Sequence, residues 1–134
     1  MSLAQGSFYS SDNRTIGLIS LAHGTSHFYH LVLPPLFPWL KIEFGLSYAE
    51  LGLLMTVFFV VSCIVQASSG FLVDHKGARP VLFAGIGLLA LSALTYAVSS
   101  SYLGLMIGAI LMGCGNGVFH PVDYTLINHK ISAK

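Results

Sequence analysis

Three stretches of this chain contain no Asp, Glu, Lys or Arg: residues 15 to 40, 51 to 73 and 80 to 122. A helix needs about 20 apolar residues to cross a hydrocarbon layer of about 30 Å, so the first two stretches make one span each. The third is long enough for two, and Val98-Ser99-Ser100-Ser101-Tyr102 near its midpoint offers the polar turn that would separate them. Four transmembrane helices are expected, over 16–38, 49–73, 80–98 and 102–126, within one membrane domain covering 15–134. The polar start, 1–14, reads as a disordered cytoplasmic tail. The fold class is therefore an all-α polytopic membrane protein.

Composition closes off other classes. Charged residues make up 8% of the chain and apolar ones 54%, with a mean hydropathy of +0.77, whereas a soluble domain carries about 25% charged residues. The six Lys or Arg give a formal net charge of only +1, too little to neutralise several phosphates together, so nucleic acid is excluded as a partner. Cys63 and Cys114 lie apart inside apolar runs and read as small packing residues, not as a disulfide or a thiolate metal site. There is no Gly-rich phosphate loop, nucleophile elbow or paired carboxylate site, so neither an enzyme nor a cofactor is expected. The first 13 residues hold no Lys or Arg, which argues against a cleavable signal peptide and keeps span 1 in the mature protein.

Basic residues near span ends stay in the cytoplasm. With the N-terminus inside, Arg14, Lys76, Arg79, Lys130 and Lys134 are cytoplasmic and Lys41 alone is outside. Trp39, Tyr48, Tyr96 and Tyr102 then mark the outer ends, where aromatic rings favour the interface. The expected location is the plasma (inner) membrane, with both termini cytoplasmic.

The loop between spans 2 and 3 reads Gly70-Phe71-Leu72-Val73-Asp74-His75-Lys76-Gly77-Ala78-Arg79-Pro80. Gly70 permits close backbone approach, Gly77 permits the reversal, and an Asp at a helix C-terminus calls for a facing cation or helix N-terminus. A plain hairpin whose charges mark the cytoplasmic side is the simpler reading. Gly70, Asp74, Gly77 and Arg79 nevertheless resemble the signature between helices 2 and 3 of the major facilitator superfamily. His75 replaces a usual basic residue and Ala78 interrupts the basic pair. Two further stretches, Leu33-Pro34-Pro35-Leu36-Phe37-Pro38 with Glu43-Phe44-Gly45-Leu46, and Gly113-Cys114-Gly115-Asn116-Gly117-Val118-Phe119-His120-Pro121, are similar to the fosmidomycin-resistance group of efflux transporters in that superfamily. The resemblance implies that Asp74 and Arg79 help latch the two halves of a transporter, and that helices 1 and 4 line a central cavity. At Ala109, where many antiporters of the superfamily carry an Arg, it supplies no coupling residue.

Ionisable groups at membrane depth are costly and mark candidate pathways. His23, His27 and His30 fall within an arc of about 60° on span 1, and Ser20 and Pro34 extend that stripe. They are either structural, each bonded to a neighbouring helix, or part of a proton or substrate path. Histidines at i and i+4 can share a metal ion, but span 1 holds no carboxylate or thiolate ligand, and no metal is expected. Pro34, Pro35 and Pro38 are expected to break the outer half of the span, since Pro34 cannot donate to His30 or Pro35 to Leu31. On span 4, Asn116, His120 and Asp123 again share one face beside Pro121. Counted from the cytoplasmic ends, His120 and His23 lie about 9 Å and about 10 Å deep. A His beside an Asp titrates near physiological pH, as proton coupling requires; Asp123 could equally sit among the lipid headgroups. The glycines of span 4 are spaced for close helix packing. Gln66 and Glu50 are weaker candidates.

The superfamily is built of two six-helix halves around a site between them. The expected function is thus the N-terminal portion of a secondary active transporter, a proton-coupled exporter of a small polar or anionic drug or metabolite. Its partners are the bilayer, the substrate, protons and the remaining helices, and the end at Ile131-Ser132-Ala133-Lys134 reads as a truncation before helix 5. One alternative is a self-sufficient four-helix subunit acting as an oligomer, like the small multidrug resistance family, which needs a Glu in helix 1 that is absent here. Another is a non-transporting subunit packing on a larger membrane partner through its glycine face.

Overall fold

The computed structural model describes residues 2–131, with side chains over 13–128. The described residues form five helices and no strand: α1 Ser2–Phe44, α2 Tyr48–Lys76, α3 Ala78–Val98, α4 Tyr102–Asn116 and α5 Phe119–Ile131. Three helical stretches, Tyr48–Lys76, Ala78–Val98 and Tyr102–Asn128, are long and apolar enough to cross a membrane on length and composition alone. α1 is the fourth element of this polytopic membrane protein; its histidines and serines lower its hydropathy.

The burial pattern is that of a bundle solvated by lipid. Phe71, Phe83, Leu94, Val98 and Leu103 are exposed, while Ser26, Ser62, Ser69, Ser92, Asn116 and Asp123 are buried. Apolar side chains outside and hydrogen-bonded polar ones inside is the arrangement a hydrocarbon solvent favours.

The turns follow their local sequence. Ser47 caps α2 in a reciprocal box, with the Glu50 N–H donating to Ser47 Oγ at 3.2 Å and the Ser47 N–H donating to Glu50 Oε2 at 2.8 Å. Gly77 takes φ 84° between α2 and α3, a backbone region that favours glycine. The serine break lies where expected, with α3 ending at Val98 and Ser101 capping α4 by accepting from the Gly104 N–H at 3.3 Å. Tyr102 Oη then donates to the Glu50 carbonyl at 3.0 Å, tying the starts of α4 and α2.

α4 is wedged between α2 and α3, and alternating glycines allow it. A Cβ on Gly113 would lie 2.7 Å from the Phe58 carbonyl, and one on Gly117 2.6 Å from that of Ser62, both on α2. On the opposite face, a Cβ on Gly115 would lie 2.8 Å from the Gly85 carbonyl of α3. Ser92 Oγ donates to the Gly108 carbonyl at 2.8 Å across the same α3–α4 seam.

Several expectations need correction. α1 runs unbroken through Pro34, Pro35 and Pro38, because proline's fixed φ is compatible with a helix even where its missing N–H leaves a carbonyl free. Span 4 is divided into α4 and α5 around Gly117-Val118. Pro121 cannot donate to the Gly117 carbonyl, and Ser69 Oγ stands 3.4 Å from that oxygen in its place. Gly70 meets no neighbouring atom among the described residues, so no close approach is seen there. Tyr96, expected at the outer interface, turns its ring inward against Gly108. The tail expected over 1–14 is helical from Ser2, its side chains up to residue 12 lying outside the described set, as do residues 132–134 and the side chains of Lys130 and Lys134.

Candidate functional site

The polar stripes of α1 and α5 meet. Asp123, 7% exposed, faces α1 from α5, and His23 Nδ1 lies 2.6 Å from its Oδ2. With the carboxylate ionised, this nitrogen carries the proton and donates, which leaves Nε2 of a neutral ring free to accept. His27 Nε2 sits 2.9 Å from His23 Nε2 and is the matching donor. Asp123, His23 and His27 thus form one hydrogen-bonded chain from the buried carboxylate along α1.

His120 joins this chain edge-on, its ring centroid 5.1 Å from that of His23 and 6.1 Å from that of His27. His30 is turned away from the acid: it packs 5.1 Å from His27 on one side and 5.1 Å from Phe58 on the other. A cavity of about 540 Å³ opens on the cluster, lined by Ser20, His23, Gly24, His120, Asp123 and Tyr124 among others. His120 also borders a second crevice of about 390 Å³ with Cys63, Gln66 and Tyr124. No group of three or more His, Cys, Asp or Glu side chains among the described residues could hold a metal ion.

Asn116, expected on the same face, occupies a separate buried network one turn deeper. Its Oδ1 accepts from Ser62 Oγ at 2.8 Å, and its Nδ2 donates to Ser26 Oγ at 2.6 Å and to the Ser26 carbonyl at 3.3 Å. The amide joins α1, α2 and α4. Ser26 and Ser62 were not singled out from the sequence. Serine in a helix commonly bonds its own preceding turn, as Ser68 does here, so a cross-helix role leaves no sequence mark beyond a place on the buried stripe.

The loop residues lie away from the histidines. Asp74, Gly77 and Arg79 border a crevice of about 520 Å³ whose other wall includes Thr125 and Leu126 of α5. Among the described residues the one ion pair is His23 with Asp123, so Asp74 and Arg79 are not paired with each other.

The family model of the Major Facilitator Superfamily matches residues 19–134. The chain belongs to that superfamily. It is 26% identical over 106 residues to the fosmidomycin resistance protein of Escherichia coli, covering 79% of this chain and 26% of that protein. It is 25% identical over 104 residues to an uncharacterized MFS-type transporter, YfnC, of Bacillus subtilis, covering 78% and 25%. To the quinolone resistance protein NorA of Staphylococcus aureus it is 31% identical over 91 residues, covering 68% and 23%. The chain spans about a quarter of the length of these curated relatives. No solved structure matches it. As a member of that superfamily the chain is a multi-pass membrane protein, and its cross-helix acid–histidine chain lies within it.

Proposed function

We propose that the chain is the N-terminal portion of a proton-coupled secondary exporter of a small polar or anionic compound, with His23, His27, His30, Asn116, His120 and Asp123 on its proton or substrate path. The observation that carries this reading is the 2.6 Å bond between His23 and Asp123, which bridges two helices at the wall of a cavity. Names of relatives that refer to fosmidomycin and quinolone resistance support export of such compounds.

The chemistry follows from the partners. An ionised Asp123 holds His23 through a charge-assisted bond, and a proton added at His23 Nε2 makes the pair imidazolium and carboxylate. A further proton at Asp123, whose Oδ1 has no hydrogen-bond partner, removes the carboxylate charge and releases α1 from α5. His27 and His120 are the adjacent bases through which that proton arrives and leaves. On this reading both termini are cytoplasmic, and Gly70, Asp74, Gly77 and Arg79 form the loop that latches the halves of the transporter, the crevice beside α5 receiving its partner.

The test is flux in everted membrane vesicles carrying the protein at its native length, with fosmidomycin and a quinolone as probes. Pumping that needs a pH gradient in the parent and loses its pH dependence in His120→Ala and Asp123→Asn, with the probe still bound, supports the reading. Unchanged uptake and pH dependence in both variants overturns it.

A further inference from the structure

Two attachments reach α1 at neighbouring turns. One is titratable, His23 to Asp123; the other is neutral, the Asn116 amide bonded to Ser26. Ser26 stands three residues after His23 and one before His27, so whatever fixes Ser26 fixes both rings. Asn116 is itself immobilised: Ser62 holds its carbonyl oxygen from α2, and the flanking Gly113, Gly115 and Gly117 seat its backbone directly on α2 and α3. An amide and two hydroxyls keep these bonds at any physiological pH, because none of the three titrates there. The acid, by contrast, rides on α5, beyond the interruption at Gly117-Val118.

We propose that Asn116 is a positioning residue: through Ser26 it sets the register of α1 so that His23 presents Nδ1 to Asp123 and Nε2 to His27. This rests on the proposed function for its purpose but not for its geometry. Bridging an amide between two serines fixes three helices at one point, and a helix shift of one or two ångströms there would take the 2.6 Å and 2.9 Å contacts out of hydrogen-bonding range. The groups facing His23 are His27 on its own helix, with His30 beyond it, His120, Asp123 and Tyr124 on α5, and Cys63 across His120 on α2; α4 presents no carboxylate, His or basic residue.

The ring's tautomer reads this directly, since the proton sits on the nitrogen whose hydrogen bond holds it. The protein at its native length, labelled with ¹⁵N-histidine, is placed in lipid nanodiscs at neutral pH, with His23 assigned by the signal lost in His23→Gln. The expected result is an Nδ1–H tautomer for His23 in the parent and loss of its dominance in Asn116→Ala and in Ser62→Ala. Ser26→Ala, which keeps the carbonyl bond to Asn116, gives a partial loss and covers the case in which Asn116→Ala does not fold. An unchanged Nδ1–H population in the folded variants overturns the proposal, as does a parent His23 that never shows it. If the tautomer responds as expected but flux in vesicles does not depend on pH, the positioning role stands and the coupling reading fails.

Discussion

Between α2, α3 and α4 the helices touch through glycines, whereas α1 meets α5 through two histidines and an aspartate. The glycine contacts themselves carry no group that titrates: backbones approach closely, and neutral hydrogen bonds such as that of Ser92 to the Gly108 carbonyl hold the seam. The second has a charge state that depends on protons. Lipid supplies little hydrophobic force between helices, so the material of each contact decides whether it is permanent. The glycine block makes a fixed frame, and Asn116 at its edge is where the titratable joint is fastened to it.

The largest effect is expected from breaking the block. Gly115→Val places a branched side chain where even a Cβ would lie 2.8 Å from the Gly85 carbonyl and 3.0 Å from the Leu89 nitrogen. The expected cost is about 3 kcal/mol, seen as loss of monodisperse protein and a lower melting temperature in detergent, while Gly87→Ala, in open space, leaves both near the parent. Breaking the joint has a different signature. His23→Gln is expected to lower gradient-driven flux about tenfold, within the 1–3 kcal/mol usual for coupling between sites, with melting close to the parent. A large loss of stability in His23→Gln would mean that the joint is a structural element.

How much of this was legible from sequence depended on whether a residue acts within its own helix or across to another. The charge-free runs gave the spans, the serines at 99–101 gave the break and cap, and Gly77 gave the turn, because each works locally. Helical spacing and depth put His23 on one stripe and His120 with Asp123 on another at a similar level, while the facing of the two stripes was implied by the family resemblance. The continuity of α1 through Pro34, Pro35 and Pro38 was not legible, since proline's fixed φ fits a helix and its missing N–H frees a carbonyl without ending the helix. The separation of α5 from α4 was half legible: Pro121 announces a freed carbonyl at Gly117, but the Ser69 hydroxyl beside it comes from another helix. Asn116 was marked by its polarity, while its partners Ser26 and Ser62 became visible only with the fold.

Smaller changes sharpen the comparison from within the frame. Ser92→Ala removes the bond to the Gly108 carbonyl and is expected to cost about 1 kcal/mol, with flux unchanged, as melting curves and vesicle transport would establish. Ser47→Ala removes half of the capping box at the exposed start of α2, and an effect of about 0.5 kcal/mol is expected, again without a change in flux.

Protons are expected to rearrange the joint and to leave the frame alone. Spin-label distances measure both at once. With Cys63 and Cys114 replaced by serine, one pair of labels at Leu18→Cys and Tyr124→Cys spans α1 and α5, and another at Ile64→Cys and Phe83→Cys spans α2 and α3, all on exposed positions. Between about pH 5 and about pH 8, the range in which histidines titrate, the first distance is predicted to shift and the second to stay fixed. A first distance independent of pH, or two distances that move together, would contradict the account.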